Sequence, residues 1–132
     1  ALGTVGRGAL EHFEKLENWD VVGLSRRTPD FENQADWRSV DLRDYADCQS
    51  KLSDLADVTH IAYTAVFEKP NVTQGWAQQA HAAKNLVMLK NLVQTIEVAA
   101  PSLEHITLMQ GTKAYGGNLG PFKMLARETD AR

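Results

Sequence analysis

At 132 residues and 43% hydrophobic content, the chain has the make-up of one globular domain, large enough for a core and neither disordered nor fibrous. A formal charge of −3, from 14 basic and 17 acidic residues, gives no net pull toward nucleic acid or an anionic membrane, so neither is expected as a partner. The single cysteine, Cys48, excludes an internal disulfide; with no signal sequence and no apolar stretch of membrane-spanning length, the expected location is the cytoplasm.

The chain opens Ala1-Leu2-Gly3-Thr4-Val5-Gly6-Arg7-Gly8, and Leu10, Phe13 and Leu16 continue it as a helical stripe over about 4–17. This spacing suits a turn that hands a strand over to a helix whose amino end holds a pyrophosphate. Gly3 would let backbone approach phosphate, Thr4 and Val5 would follow in the turn, and Gly6 would let the helix close on a sheet. A helix that simply packs tightly explains the small residues as well. The apolar run 21–25 predicts a buried parallel strand, broken at Thr28-Pro29, and 37–40 a second strand ending at Asp41-Leu42-Arg43-Asp44. Cys48, Leu52 and Leu55 predict a helix over 45–55, with Cys48 structural rather than reactive, and 58–63 returns to strand. A long helix over 74–99 carries Leu86, Leu89, Leu92, Val93 and Ile96 on one face and stops before Pro101. The last strand is 105–110, and 116–132 reads as loop followed by helix.

Strands and helices alternating over one domain predict βαβ units: an α/β, Rossmann-like, doubly wound parallel sheet in three αβα layers. The turn at Gly3 should follow a first strand at the centre of that sheet, which the chain does not contain. It also lacks an initiator methionine, so it is expected to be part of something longer, a partial dinucleotide-binding domain whose substrate-binding portion lies elsewhere.

In such a sheet, ligands gather at the carboxyl ends of the strands. Ser25-Arg26-Arg27 occupies the place that faces an adenosine ribose; the acid that would bind a 2′-hydroxyl is absent, and two guanidiniums suited to a 2′-phosphate stand instead. That pattern predicts NADP, against the plainer alternative of a solvated basic loop. Asp41 and Leu42 would lie against the adenine, the carboxylate accepting from its amine. Lys113, after the last strand, is a candidate for site chemistry or else a solvated loop residue. His12, His60, His81 and His105 have no ligand-like spacing, so no metal is expected; Trp19 and Trp37 read as packing residues.

Gly3-x-x-Gly6, Ser25-Arg26-Arg27, Asp41-Leu42-Arg43-Asp44, the stretch 57–63, the helix segment 85–92 and Gln110-Gly111-Thr112-Lys113-Ala114-Tyr115-Gly116 followed by Gly120-Pro121-Phe122 resemble, in order and spacing, the atypical short-chain dehydrogenases typified by progesterone 5β-reductase and iridoid synthase. The Gly-Thr-Lys-x-Tyr-Gly and Gly-Pro-Phe pair is the specific element. The resemblance implies NADPH-dependent reduction of an activated C=C bond or a carbonyl on a small apolar substrate. It makes Lys113 catalytic, holding the nicotinamide ribose and a tyrosine that would follow Arg132, and it makes Tyr115 a non-catalytic loop residue. Thr64, Ala65 and Val66, with Gln110 and Gly111, would line the coenzyme groove, Phe67 and Trp76 the substrate mouth. Asn85 would bond backbone near the site or face solvent. A homodimer is a further expectation. Two rivals stand beside this: a nucleotide-sugar epimerase or dehydratase, which needs a Tyr-x-x-x-Lys unit after Arg132, and a nonenzymatic NADP-sensing regulator.

Overall fold

A computed structural model describes residues 1–68 and 79–111, together with Pro121, Arg127 and Thr129. In chain order the elements are α1 (Thr4–Phe13), β1 (Val22–Ser25), β2 (Asp36–Ser39), α2 (Tyr45–Leu52), β3 (His60–Tyr63), α3 (Gln79–Ala99) and β4 (His105–Leu108). Lys113, Tyr115, Trp76 and the expected helix within 116–132 lie outside the described residues, apart from Pro121, Arg127 and Thr129, as does the start of the long helix before Gln79.

The strands form two parallel pairs, β1 with β2 and β3 with β4, in registers that place Val22 beside Asp36 and His60 beside His105. Alternation of carbonyl direction tells which edges are in use. Val21 and Ser25 accept from Asp36 and Val40, so the carbonyl of Leu24 between them points to the other edge of β1. There it accepts from the amino group of Ala1. Thr59 and Tyr63 likewise serve β4, accepting from His105 and Met109.

The expected helix over 4–17 ends early, at Phe13. Lys15 and Leu16 turn back with tighter bonds to His12 and Phe13, and the Glu14 carboxylate accepts from the backbone of Gln34 and Ala35 at 2.7 and 2.8 Å. The tight turn brings Trp19 onto Phe13, with ring centroids 4.7 Å apart, and onto His60 at 5.0 Å. At the other end α1 starts at an extended Gly3 with no side-chain cap, whereas the Asp44 carboxylate caps α2 through Ala46 and Asp47. β2 begins one residue before the expected 37–40, and α2 ends at Leu52, where Leu55 closes a single tight turn.

The core sits between β3 and the helices α2 and α3. Val40, Cys48, Leu52, Ile61, Tyr63, Leu92, Ile96 and Ala100 are buried together, with Leu24, Leu42, Leu89 and Leu103 packed against them. Ile61 and Tyr63 supply one face of β3, and the opposite parity sends His60 toward Trp19. The expected apolar face of α3 is corrected in part: Leu92 and Ile96 are buried, but Leu86 is half exposed, and polar Asn91 and Thr95 share the buried face. They are tolerated there because Asn91 donates to the Leu42 carbonyl at 2.8 Å and Thr95 to the carbonyl of Asn91. Cys48 is fully buried and burial pushes its thiol up to about 11, in keeping with a structural role. Among the described residues no helix is long and apolar enough to cross a membrane, and no three His, Cys, Asp or Glu side chains converge as metal ligands.

Two close approaches need glycine. A Cβ on Gly23 would stand 2.3 Å from the Trp37 ring, which lies across β1. One on Gly6 would stand 2.8 Å from the Thr64 hydroxyl and 2.9 Å from the Ala1 backbone, whereas one on Gly8 would meet nothing within 4 Å. Gly6→Ala is therefore expected to destabilise the intact protein by about 1–3 kcal/mol. Gly8→Ala should stabilise it by about 0.5–1 kcal/mol, since only the backbone entropy term remains. Urea unfolding of both variants checks the pair, and equal effects would remove the close approach at Gly6.

Candidate binding cleft at the strand ends

Gly6 is buried and draws the first turn of α1 against Thr64, which directly follows β3. The carboxyl ends of β1 and β3 and the amino end of α1 thus meet in one place. Gly3 begins that helix, with Thr4 and Val5 exposed in its first turn, and a Cβ on Gly3 would touch nothing. Short of Gly6, then, this turn presents backbone and small side chains outward.

Ser25, Arg26 and Arg27 leave β1 in a braced turn. The Ser25 hydroxyl accepts from the Arg27 N–H at 3.2 Å, the Trp37 indole donates to the Arg27 carbonyl, and the Ser39 hydroxyl donates to the Arg26 carbonyl. Ser25, expected at a ligand, and Trp37, expected in packing, both also hold the arginine backbone. Both arginines are exposed, and among the described residues neither forms an ion pair. Arg38, one strand over, differs: Asp36 and Asp54 both hold it at 2.9 Å.

Asp41 follows β2 and is engaged within its own turn. Its carboxylate accepts from the Arg43 backbone N–H at 3.0 Å and from the Arg43 guanidinium through Nε at 2.9 Å and Nη2 at 2.5 Å. The Arg43 guanidinium holds the Asp41 carboxyl down at about 2, against the opposing effect of burial, and the charge of Arg26 adds to the lowering. Leu42, expected on an adenine face, is partly buried and packs against the core, and its carbonyl takes the Asn91 bond. The signal for the Arg43 contact was present in Asp-x-Arg, since an aspartate readily bonds the backbone two residues on and so folds the second side chain back.

Beyond β3, Thr64, Ala65 and Val66 form one wall of an open cleft of about 390 Å³ whose other side is Asn85, Leu86 and Met109. Val66 is largely exposed. Gln110 and Gly111 continue past β4 and are exposed beside it. Asn85 does not face solvent. Its Oδ1 accepts from the Phe67 N–H at 2.7 Å, and its Nδ2 donates to the Phe67 carbonyl at 3.2 Å and to the His81 carbonyl at 3.0 Å. One side-chain amide thus pairs with both backbone groups of one residue, as a neighbouring strand would. Phe67 is gripped further by the His81 ring, edge-on at 5.2 Å, and by the Lys84 ammonium 4.8 Å from its ring centre.

The chain is similar to known proteins over most of its length. It is 37% identical over 107 residues to a 3-oxo-Δ4,5-steroid 5β-reductase of Arabidopsis thaliana, covering 79% of this chain and 25% of that protein. It is 30% identical over 124 residues to an (S)-8-oxocitronellyl enol synthase of Antirrhinum majus, covering 89% of the chain and 30% of the relative, and 33% identical over 109 residues to an enzyme of the same name from Nepeta racemosa, covering 80% and 26%. The chain therefore spans between a quarter and a third of the length of these relatives. No family model matches it.

Two outcomes follow from this geometry. Asn85→Ala would remove the partners that the Phe67 N–H and carbonyl have among the described residues and cost about 1–3 kcal/mol, and the Phe67 amide should exchange faster than in the parent protein. Asn85→Asp should not rescue it, because a carboxylate has no donor for the Phe67 and His81 carbonyls. Asp41 has a folded pKa of about 2 against an ordinary value of about 3.9, so its contribution is present above pH 4 and lost as pH falls through 2. The stability gap between parent and Asp41→Asn should accordingly be open at pH 6 and closed near pH 2; a gap independent of pH would contradict the ion pair.

Proposed function

Because the chain belongs to the family of the steroid 5β-reductases and 8-oxocitronellyl enol synthases, we propose that its protein is an NADPH-dependent oxidoreductase that reduces the activated C=C bond of a small apolar enone, or a carbonyl. The observation that carries the coenzyme preference is the turn after β1: two exposed guanidiniums with no ion pair among the described residues, on a backbone fastened by Ser25, Trp37 and Ser39. Guanidiniums bind phosphate through paired donors, and a braced backbone lowers the ordering cost of doing so.

The residues present fit the coenzyme. A helix amino end drawn in by Gly6, with Gly3 open before it, suits a pyrophosphate; Arg26 and Arg27 suit the 2′-phosphate. Thr64, Ala65, Val66, Gln110 and Gly111, at adjoining strand ends, suit the nicotinamide half. When bound, the reduced nicotinamide supplies a hydride. The rest falls to the chain: as charge gathers on the substrate carbonyl oxygen, a donor aimed there lowers the barrier, and Lys113 keeps such a donor polarised. The grip of Asn85 on Phe67 orders the segment that meets the apolar substrate.

The same reading joins the two strand pairs into one doubly wound sheet. Support comes from the edge of β1 away from β2, where the Leu24 carbonyl already accepts from Ala1, and from Ala1 lying against Gly6 near Thr64. A strand between β1 and β3 completes the ladders of both, with α1 on one face and α2 and α3 on the other.

The intact protein is expected to oxidise NADPH in the presence of 2-cyclohexen-1-one, followed by loss of absorbance at the nicotinamide band. Lys113→Ala should lower turnover by about 10²-fold or more while NADPH affinity is largely kept. Binding of NADPH without turnover of any enone or carbonyl would favour the regulator, and no binding at all would end the proposal.

A further inference from the structure

The turns that follow β1 and β2 carry three arginines and one aspartate, and there Arg43 is paired with Asp41 while the charge of Arg26 also acts on it. Arg26 and Arg27 come from the first turn, Asp41 and Arg43 from the second, and the first turn is tied to β2, which leads into the second, by the Ser39–Arg26 and Trp37–Arg27 bonds. Asp41 is the group out of place here, because a carboxylate beside a phosphate site repels the dianion that the arginines attract. Asp41 is also committed to its position. Its backbone N–H donates to the Asp47 carboxylate at 2.7 Å, its carbonyl accepts from Asp44 at 2.9 Å, and its carbonyl also lies 3.8 Å from the Cys48 thiol in the core.

We infer that Arg43, by holding the Asp41 carboxylate at 2.5–3.1 Å through two guanidinium nitrogens, neutralises it and thereby sets the preference of the adjoining Arg26-Arg27 turn for a 2′-phosphorylated adenine nucleotide. The inference rests on the dinucleotide reading above. In it Arg43 is a positioning and charge-balancing residue that does not touch the phosphate. Asp41, on which the charge of Arg26 acts, already has its partner in Arg43, and Arg26 and Arg27 form no ion pair among the described residues. With Arg43 removed, Asp41 becomes a bare carboxylate next to Arg26, competing with phosphate for the same cation.

The test measures dissociation constants of 2′,5′-ADP and 5′-AMP by calorimetry on the intact protein, so that the ratio isolates the 2′-phosphate and cancels adenine contacts. Arg43→Gln should lower the preference for 2′,5′-ADP about fivefold, an effect that shrinks with added salt. Asp41→Asn combined with Arg43→Gln should return the ratio to within about twofold of the parent, because the charge that Arg43 offset is then gone. A parent that prefers 2′,5′-ADP with a ratio unmoved by Arg43→Gln overturns this inference alone. A double variant as impaired as Arg43→Gln also overturns it, by making Arg43 a direct phosphate ligand. A parent that binds neither nucleotide overturns the dinucleotide reading along with it.

Discussion

The arrangement depends on how closely α1 approaches the end of β3. At Gly6 the helix backbone comes so near the Thr64 hydroxyl and the Ala1 backbone that one methyl group would collide with both. That contact sets the helix axis, and through it the position of Gly3 and the exposed first turn relative to the ends of β1 and β3. A wider spacing would leave the same residues on the same elements without bringing them to a common cleft. Leu10, one turn on, is buried on the same side, and it approaches the position a Cβ on Gly23 would take, so the approach continues along the helix.

Around this contact the polar residues divide between holding backbone and facing outward. Ser25, Ser39 and the Trp37 indole are used on the carbonyls and amide of the Arg26-Arg27 turn, and Asn85 on the Phe67 peptide. The cations sort by the same logic. Arg38 lies between two aspartates and Arg43 on Asp41, while Arg26 and Arg27 lack a carboxylate partner among the described residues. A cation with a partner has its donors already engaged, and one without can still meet an anion. In the proposed reading this asymmetry has a chemical meaning, since a site for a 2′-phosphorylated adenosine would need unpaired guanidiniums more than it needs net charge.

Much of this was legible in the residue order because strand and helix periods are local. The four short strands and the three helices before Pro101 appear near where they are expected, and the parallel pairing follows from their alternation. Element ends were less legible. The stripe through Leu16 extends the first helix on paper, yet the chain turns at Phe13 because Glu14 is taken by the backbone of Gln34 and Ala35, twenty residues away. Leu86 continues the apolar face of α3 by spacing but stands at the cleft rather than in the core, while Asn91, polar by type, is buried because Leu42 offers it a carbonyl. Leu42 in turn is partly buried and packs against the core.

The sequence by itself determined the alternation of elements, the glycine spacing that permits a close helix and the paired arginines at a strand end, since each is a property of residues a few positions apart. Only the tertiary structure decided which of the chain's polar side chains are already occupied. Whether Asn85 looks outward or clasps a peptide, and whether Arg26, Arg38 or Arg43 is left to meet a ligand, depends on donors and acceptors brought together from distant segments by the packing of α1, α2 and α3 on the strands. Hydrogen bonds and ion pairs act over about 3–4 Å, and distances on that scale exist only once the chain has folded.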